Sequence, residues 1–203
     1  MNKFLISLVL VLSFANFLLA EVPIGFKVIA EQGEEFPGLP PGWKDTVDDS
    51  ERSGLSTLEV TPGEKSCGFI LYAKHPLELV YENTAPKNEE KTNKLRAFAS
   101  LGEYEPVTFS IYALKNLKNV SIKIGELKLK DSKDANAFPL DHIDSRVVTP
   151  VRIVVDKPTK KFKWTPFFIE KKKEIDISDG KTSQVWLTFK VPDDLKSGDY
   201  LGK

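Results

Sequence analysis

The feature that most constrains this chain is the alternation in two stretches, PVTFSIYAL and QVWLTFKVP. In the first, Val107, Phe109, Ile111 and Ala113 fall at every second position, with Thr108, Ser110 and Tyr112 between them. In the second, Val185, Leu187, Phe189 and Val191 do the same before Pro192. A period of two places successive side chains on opposite faces of a pleated strand, so each stretch reads as a half-buried strand. GFILYA, LELVYEN after Pro76, VSIKIGELKL with Val120, Ile122 and Ile124, and the valine-rich SRVVTPVRIVV add strand candidates. Pro150, with no amide to donate, belongs at a bulge or an edge. NTAPKNEEKTNKLR, interrupted by Pro86, reads as a loop. Helical periodicity is missing throughout the chain beyond its first segment. Many short strands with turn signals between them and no interleaved helices predict an all-β fold, an antiparallel β-sandwich that is immunoglobulin-like in general architecture.

A chain of 203 residues has room for one sizeable core plus an extension. Its opening, MNKFLISLVLVLSFANFLLA, has Lys3 ahead of an apolar run and small residues where a signal peptidase cuts. Residues 1–20 therefore read as a signal peptide, cleaved after Ala20 or, alternatively, after Ala15. Residues 21–66 hold Pro37, Gly38, Pro40, Pro41, Gly42, Pro62 and Gly63, and read as an irregular extension with short strands. Residues 67–203 are expected to form the sandwich. Tyr200 and Leu201 look like the opening of a strand that the sequence does not complete, which predicts a truncated last strand and a longer parent protein. Export to the periplasm or the medium of a bacterium follows from the leader. After its removal no membrane association is expected.

Lys plus Arg and Asp plus Glu both number 29, a balance that argues against nucleic acid as a partner. Cys67 is the single cysteine, so no internal disulfide is possible; it reads as a small residue opening a buried strand. Asn119-Val120-Ser121 is a formal glycosylation acceptor.

Motifs for catalysis are weak. His75 and His142 lack any metal-ligand spacing, and Asp141 and Asp144 beside His142 read as turn caps. Asp176, Asp179 and Gly180 carry oxygen ligands without the calcium-loop pattern. No phosphate loop, GxSxG elbow or CxxC is present, and no cofactor or metal is expected. Lys157, Lys160, Lys161, Lys163, Lys171, Lys172 and Lys173 cluster around FKWTPFF, a basic neighbourhood that guards strand edges or meets an acidic polysaccharide. If Val185, Leu187 and Phe189 face the core, Trp186 faces away from it, and Tyr112 likewise points away from Phe109 and Ile111. Trp186, Tyr112 and Trp164 are thus the candidate ligand-binding residues, for sugar stacking or for contact with a neighbouring domain.

Three blocks in order, GFILYAKHPLELVYENTAPKNEE, LRAFASLGEYEPVTFSIYALKNLKNVSI and IDISDGKTSQVWLTFKVPDDLKSGDYLGK, resemble the N-terminal β-sandwich of glycoside hydrolase family 123 and of the related domain-of-unknown-function family 4091. The resemblance runs from about Gly68 to the end of the chain. It implies a non-catalytic accessory domain that supports or packs on a downstream (β/α)8 barrel of the same protein, where an adjacent Asp-Glu pair works with the substrate's acetamido group. No Asp-Glu dipeptide occurs in this sequence. Glu103 and Glu105 are accordingly not expected to be catalytic, although the parent resembles β-N-acetylgalactosaminidases. The alternative reading is a stand-alone carbohydrate-binding module.

Overall fold

A computed structural model describes residues 4–9, 44–45, 58–130, 137–156 and 161–202. The remainder of the leader and extension, with Lys157 and Lys160, lies outside the described residues.

In chain order the elements are β1 (Phe4–Val9), β2 (Lys44–Asp45), α1 (Pro62–Cys67), β3 (Phe69–Tyr72), β4 (Lys94–Ala99), β5 (Tyr104–Ala113), β6 (Leu117–Val120), β7 (Leu127–Leu129), β8 (Ala137–Phe138), β9 (Ile143–Asp156), β10 (Lys161–Glu170), β11 (Ile175–Ile177), β12 (Thr182–Lys190) and β13 (Asp199–Gly202). They form a six-stranded sheet, β2-β10-β9-β12-β5-β3, a five-stranded sheet, β4-β1-β13-β7-β8, and a ribbon of β11 with β6. Pairing is antiparallel except where β1 meets β13 and β2 meets β10. The fold is an all-β sandwich, as the alternation predicts.

The two sheets meet in one apolar core. Val107, Phe109 and Ile111 of β5 and Val185, Leu187 and Phe189 of β12 pack with Leu95, Ala97 and Ala99 of β4 and with Leu127, Phe138 and Tyr200 from the facing sheet. Phe138 sits edge-on to both Phe189 and Tyr200, at centroid distances of 5.9 and 6.2 Å. Between β4 and β5, Gly102 adopts φ 75° in the turn, a backbone region that favours glycine. Its amide donates to the Val191 carbonyl at 3.0 Å.

Here β5 departs from the half-buried strand that its alternation predicts. Every residue from Val107 to Ala113 is buried, including Thr108, Ser110 and Tyr112 on the outer face. The reason is a cover formed by residues 74–85. Tyr112 joins Ile70, Tyr72, Val80 and Ala85 in a second apolar cluster beneath it. The cover is strapped down by polar bonds: the Thr182 hydroxyl donates to the Thr84 carbonyl at 2.7 Å, Tyr72 donates to the Thr182 oxygen at 3.2 Å, and Thr108 donates to the Lys74 carbonyl at 3.1 Å. The Thr182 amide also reaches the Glu82 carbonyl at 2.8 Å. The partnered hydroxyls of Thr108 and Thr182 are tolerated on this covered face, where an unpartnered one is costly, whereas Ser110 Oγ is buried there without a hydrogen-bond partner among the described residues.

Several local expectations are corrected. LELVYEN is not a strand: the Glu78 amide bonds the His75 carbonyl and the Thr84 amide bonds the Tyr81 carbonyl, so the segment turns twice and exposes Leu77 and Leu79. In VSIKIGELKL only Val120 and Leu127–Leu129 are in strands, while Ile122 and Ile124 pack half-buried on the core. Within the presumed loop, Asn88–Glu90 form a 3-10 turn and β4 begins at Lys94. A helix replaces the expected irregular residues 62–67. Thr61 caps it reciprocally with Glu64, Pro62 opens it, and Gly68 at φ 83° closes it. Cys67 therefore ends this helix, exposed, and does not open a buried strand. Finally, β13 pairs with β1 on one side and with β7 on the other.

This arrangement predicts unequal costs for two substitutions. Phe109→Ala removes a ring from the central core and should cost about 3–5 kcal/mol. Tyr72→Phe removes only the strap's hydroxyl and should cost about 1 kcal/mol. Urea denaturation of both variants beside the wild type provides the check, and equal costs would contradict the division between core and cover.

Candidate interaction face

The β9–β10 hairpin carries the described surface with the most exposed aromatic rings. β9 is 14 residues long, yet it pairs with β12 only from Ile143 to Val147. Beyond Val147 its partner is β10, so the hairpin runs past the end of the β12 ladder. Pro150 lies directly opposite Pro166, and neither can donate an amide to the ladder. The register shifts between Pro166 and Phe168, which agrees with the bulge or edge position expected for Pro150. That shift falls on Phe167. Phe167 and Phe168 form an edge-on pair, 5.3 Å apart, and are 63% and 53% exposed. Trp164, Ile153 and Ile169 are also exposed on the hairpin, with Trp164 and Ile153 at adjacent rungs and so on opposite faces.

Charged groups bind the hairpin's base. The Thr149 hydroxyl donates to Glu170 at 2.8 Å and Lys172 lies 3.2 Å from the same carboxylate. The Thr149 hydrogen bond, opposed by burial and helped by Lys172, holds the Glu170 carboxyl below its usual range. Burial pushes Asp144 up, but hydrogen bonds from Arg146 and Lys171 outweigh it and leave its carboxyl depressed. Beside this base a cleft of about 290 Å³ opens among Val148, Pro150, Pro166, Lys172, Glu174 and Gln184. These carboxylates are consumed in ion pairs and hydrogen bonds that fasten strands.

The candidate residues do not converge. Trp164 is exposed on β10. Trp186 is half-buried on β12, opposite Thr108 on one side and Arg146 on the other. Tyr112 is 5% exposed beneath the cover, which corrects its expected role as an open sugar platform. Burial, with the charge of Asp179, raises its hydroxyl above the ordinary range. Tyr104, exposed beside Lys190, was not singled out by the sequence, and neither were Phe167 and Phe168. The doublet Phe167-Phe168 was the available signal, since two adjacent large rings cannot both enter one core from a regular strand.

Several of the remaining polar candidates have structural partners. Glu103 accepts the Ser100 amide at 2.6 Å and so locks the turn into β5, while burial and then the Glu103 charge raise the Glu105 carboxyl. His142 Nδ1 meets the Lys190 carbonyl at 3.0 Å, and His75 Nδ1 accepts the Leu77 amide. Asp176 bonds Lys118 and the Asn119 amide, joining β11 to β6, and exposed Asn119 sits at φ 53°. No group of three or more His, Cys, Asp and Glu residues is arranged to hold a metal ion among the described residues. No helix there is long and apolar enough to cross a membrane.

Comparison with known proteins returns little. No family model matches the chain, and no curated protein matches it. Among solved structures, a family 123 glycoside hydrolase from Clostridium perfringens, studied for glycolipid glycan hydrolysis, is similar at 16% identity and a TM-score of 0.46. The match covers 51% of this chain and 18% of that one. A likeness at that score does not assign the chain to a family.

The charge pattern at the hairpin's base predicts a pH response. Because Glu170 titrates lower in the folded chain than in the unfolded one, its stabilisation is complete above the usual carboxylate range and fades as pH falls through the depressed folded value. Thermal melting followed from about pH 6 to about pH 3 should show a steeper decline in wild type than in Glu170→Gln. Parallel curves would show that the Thr149 and Lys172 contacts contribute nothing.

Proposed function

We propose that this chain is a non-catalytic accessory β-sandwich of a secreted glycoside-hydrolase-type protein, docked through its β9–β10 hairpin onto the catalytic barrel of that protein. The observation that carries the docking is the exposed edge-on pair Phe167–Phe168 on a hairpin that also exposes Trp164, Ile169 and Ile153. Clustered exposed rings of this kind mark contact surfaces, whereas singly scattered apolar residues do not. The glycosidase context rests on the three sequence blocks described above. A non-catalytic role is supported by the engagement of Glu103, Asp144 and Glu170 in structural bonds.

A second reading, polysaccharide binding, is favoured by the exposure of Trp164 and by exposed Tyr104, with the Lys190 ammonium 5.8 Å from its ring centroid. Aromatic rings offer flat apolar faces to sugar rings, and lysines attract acidic chains. Trp186, half-buried, contributes less ring surface to this than Trp164.

The readings separate by experiment. Hydrogen exchange at residues 161–170 should slow by about tenfold or more when the chain is joined to the catalytic barrel of its parent. Phe167→Ser with Phe168→Ser should abolish that slowing while shifting the stability of the chain by only about 0.5 kcal/mol, as expected at exposed positions. Unchanged exchange, together with retardation on polysaccharide gels that Trp164→Ala removes, would favour the sugar reading over docking.

A further inference from the structure

The cover of residues 74–85 closes only one end of the outer face of the six-stranded sheet. It is bonded at Thr108 and Thr182, and Tyr112 lies beneath it. The other end of the same face is open. There the register sets Tyr104 beside Lys190, and Thr188 between Pro106 and Asp144. Tyr104 is an even number of residues from Thr108, as Thr188 and Lys190 are from Thr182, so their side chains leave the sheet on the outer face, which Asp144 shares as the cross-strand partner of Thr188. Asp141 and His142, in the turn leading into β9, complete a pocket of about 410 Å³ with these four residues.

Tyr104 supplies the only ring surface with an apolar face apart from the imidazole, and it is 61% exposed, with the Lys190 ammonium 5.8 Å from its centroid. The other residues supply both donors and acceptors. His142 Nδ1 donates to the Lys190 carbonyl at 3.0 Å, which leaves Nε2 of the neutral ring as an acceptor. Asp144 is occupied by Arg146 at 2.5 Å and Lys171 at 3.0 Å. The Thr188 hydroxyl and the Asp141 carboxylate enter no hydrogen bond or ion pair with the described residues. An anion drawn to Lys190 would meet Asp141 and Asp144 in the same wall, and a cation would meet Lys190. A flat apolar surface bordered by donors and acceptors of both kinds suits a polyhydroxylated ring without charge. β9 and β12 are interior strands of the sheet, so a ligand here meets side chains and not a free backbone edge.

We propose that this pocket binds a neutral saccharide unit, with the apolar face of the sugar on Tyr104 and its hydroxyls on Thr188, Asp141, Lys190 and His142 Nε2. The assignment rests on the polysaccharide reading given above and adds to it a place and a charge class, neutral instead of acidic. It is independent of docking through the β9–β10 hairpin.

The test is affinity electrophoresis of the full chain in gels of galactomannan, xyloglucan or laminarin, all neutral, and of chondroitin sulfate or polygalacturonate, both acidic. At least one neutral gel should retard the wild type more than either acidic gel. In that gel Tyr104→Ala should weaken binding about tenfold or more, and Thr188→Val about threefold or more, with melting temperatures unchanged. Tyr104→Phe, which keeps the ring, should retain most of the affinity. Retardation that Trp164→Ala removes and Tyr104→Ala does not would leave the polysaccharide reading standing and overturn this site. Stronger retardation by the acidic gels would overturn the neutral class, and no retardation in any gel would overturn the site and the polysaccharide reading together.

Discussion

The ladder between β5 and β12 is the constraint on which the remaining structure depends. Nine consecutive pairs, from Tyr104 opposite Lys190 to Tyr112 opposite Thr182, set these two strands in register. Because side chains alternate across a strand, that register puts Val107, Phe109, Ile111, Val185, Leu187 and Phe189 on one face and Thr108, Ser110, Thr182 and Gln184 on the other. The first face organises the sandwich core. The second would be a solvated polar face but for residues 74–85, which are bonded onto it through Thr108 and Thr182. A slip of one residue would exchange the faces and destroy both arrangements at once.

With its centre buried on both sides, the sheet has its reactive surface at the margins. Among the described residues β10 meets β2 only at Lys161 and Phe162, with Trp164, Phe167 and Phe168 beyond that pairing. The opposing prolines and the register shift keep the hairpin from being a regular ladder for another strand. Side-chain docking suits such an edge better than backbone pairing. β1 is the opposite case, a strand paired through its backbone on both sides, with β13 and with β4.

The sequence shows the fold class where its period is unambiguous. PVTFSIYAL and QVWLTFKVP announce the central pair, and the absence of helical periodicity excludes interleaved helices. It misleads where burial is supplied from elsewhere in the chain. The outward set of β5 and β12 looks solvent-facing because the partners of Thr108 and Thr182, the carbonyls of Lys74 and Thr84, are backbone atoms with no sequence signature. Tyr112 was read as a platform for the same reason. By contrast, α1 is legible in its ends: Thr61-Pro62-Gly63-Glu64 is a capping box with proline at the first helical position, and Gly68 supplies the stop. LELVYEN shows the limit of composition, since its β-favouring residues yield to the turns beginning at His75 and Tyr81. In the candidate interaction face, Trp164 stands out in the sequence, and the doublet Phe167-Phe168 is a signal there whose structural basis is the register shift beside Pro166.

Residue-resolved native hydrogen exchange tests the central claim most directly, because it reports how much of the molecule must open before each amide is reached. A β5 strand buried on both faces by core and strap predicts that amides of Val107–Ala113 exchange only through global unfolding, with an exchange free energy equal to that from denaturant melting. Exchange of the same amides through a smaller opening, at a free energy well below the global value and independent of denaturant, would show that the cover of residues 74–85 does not close the outer face.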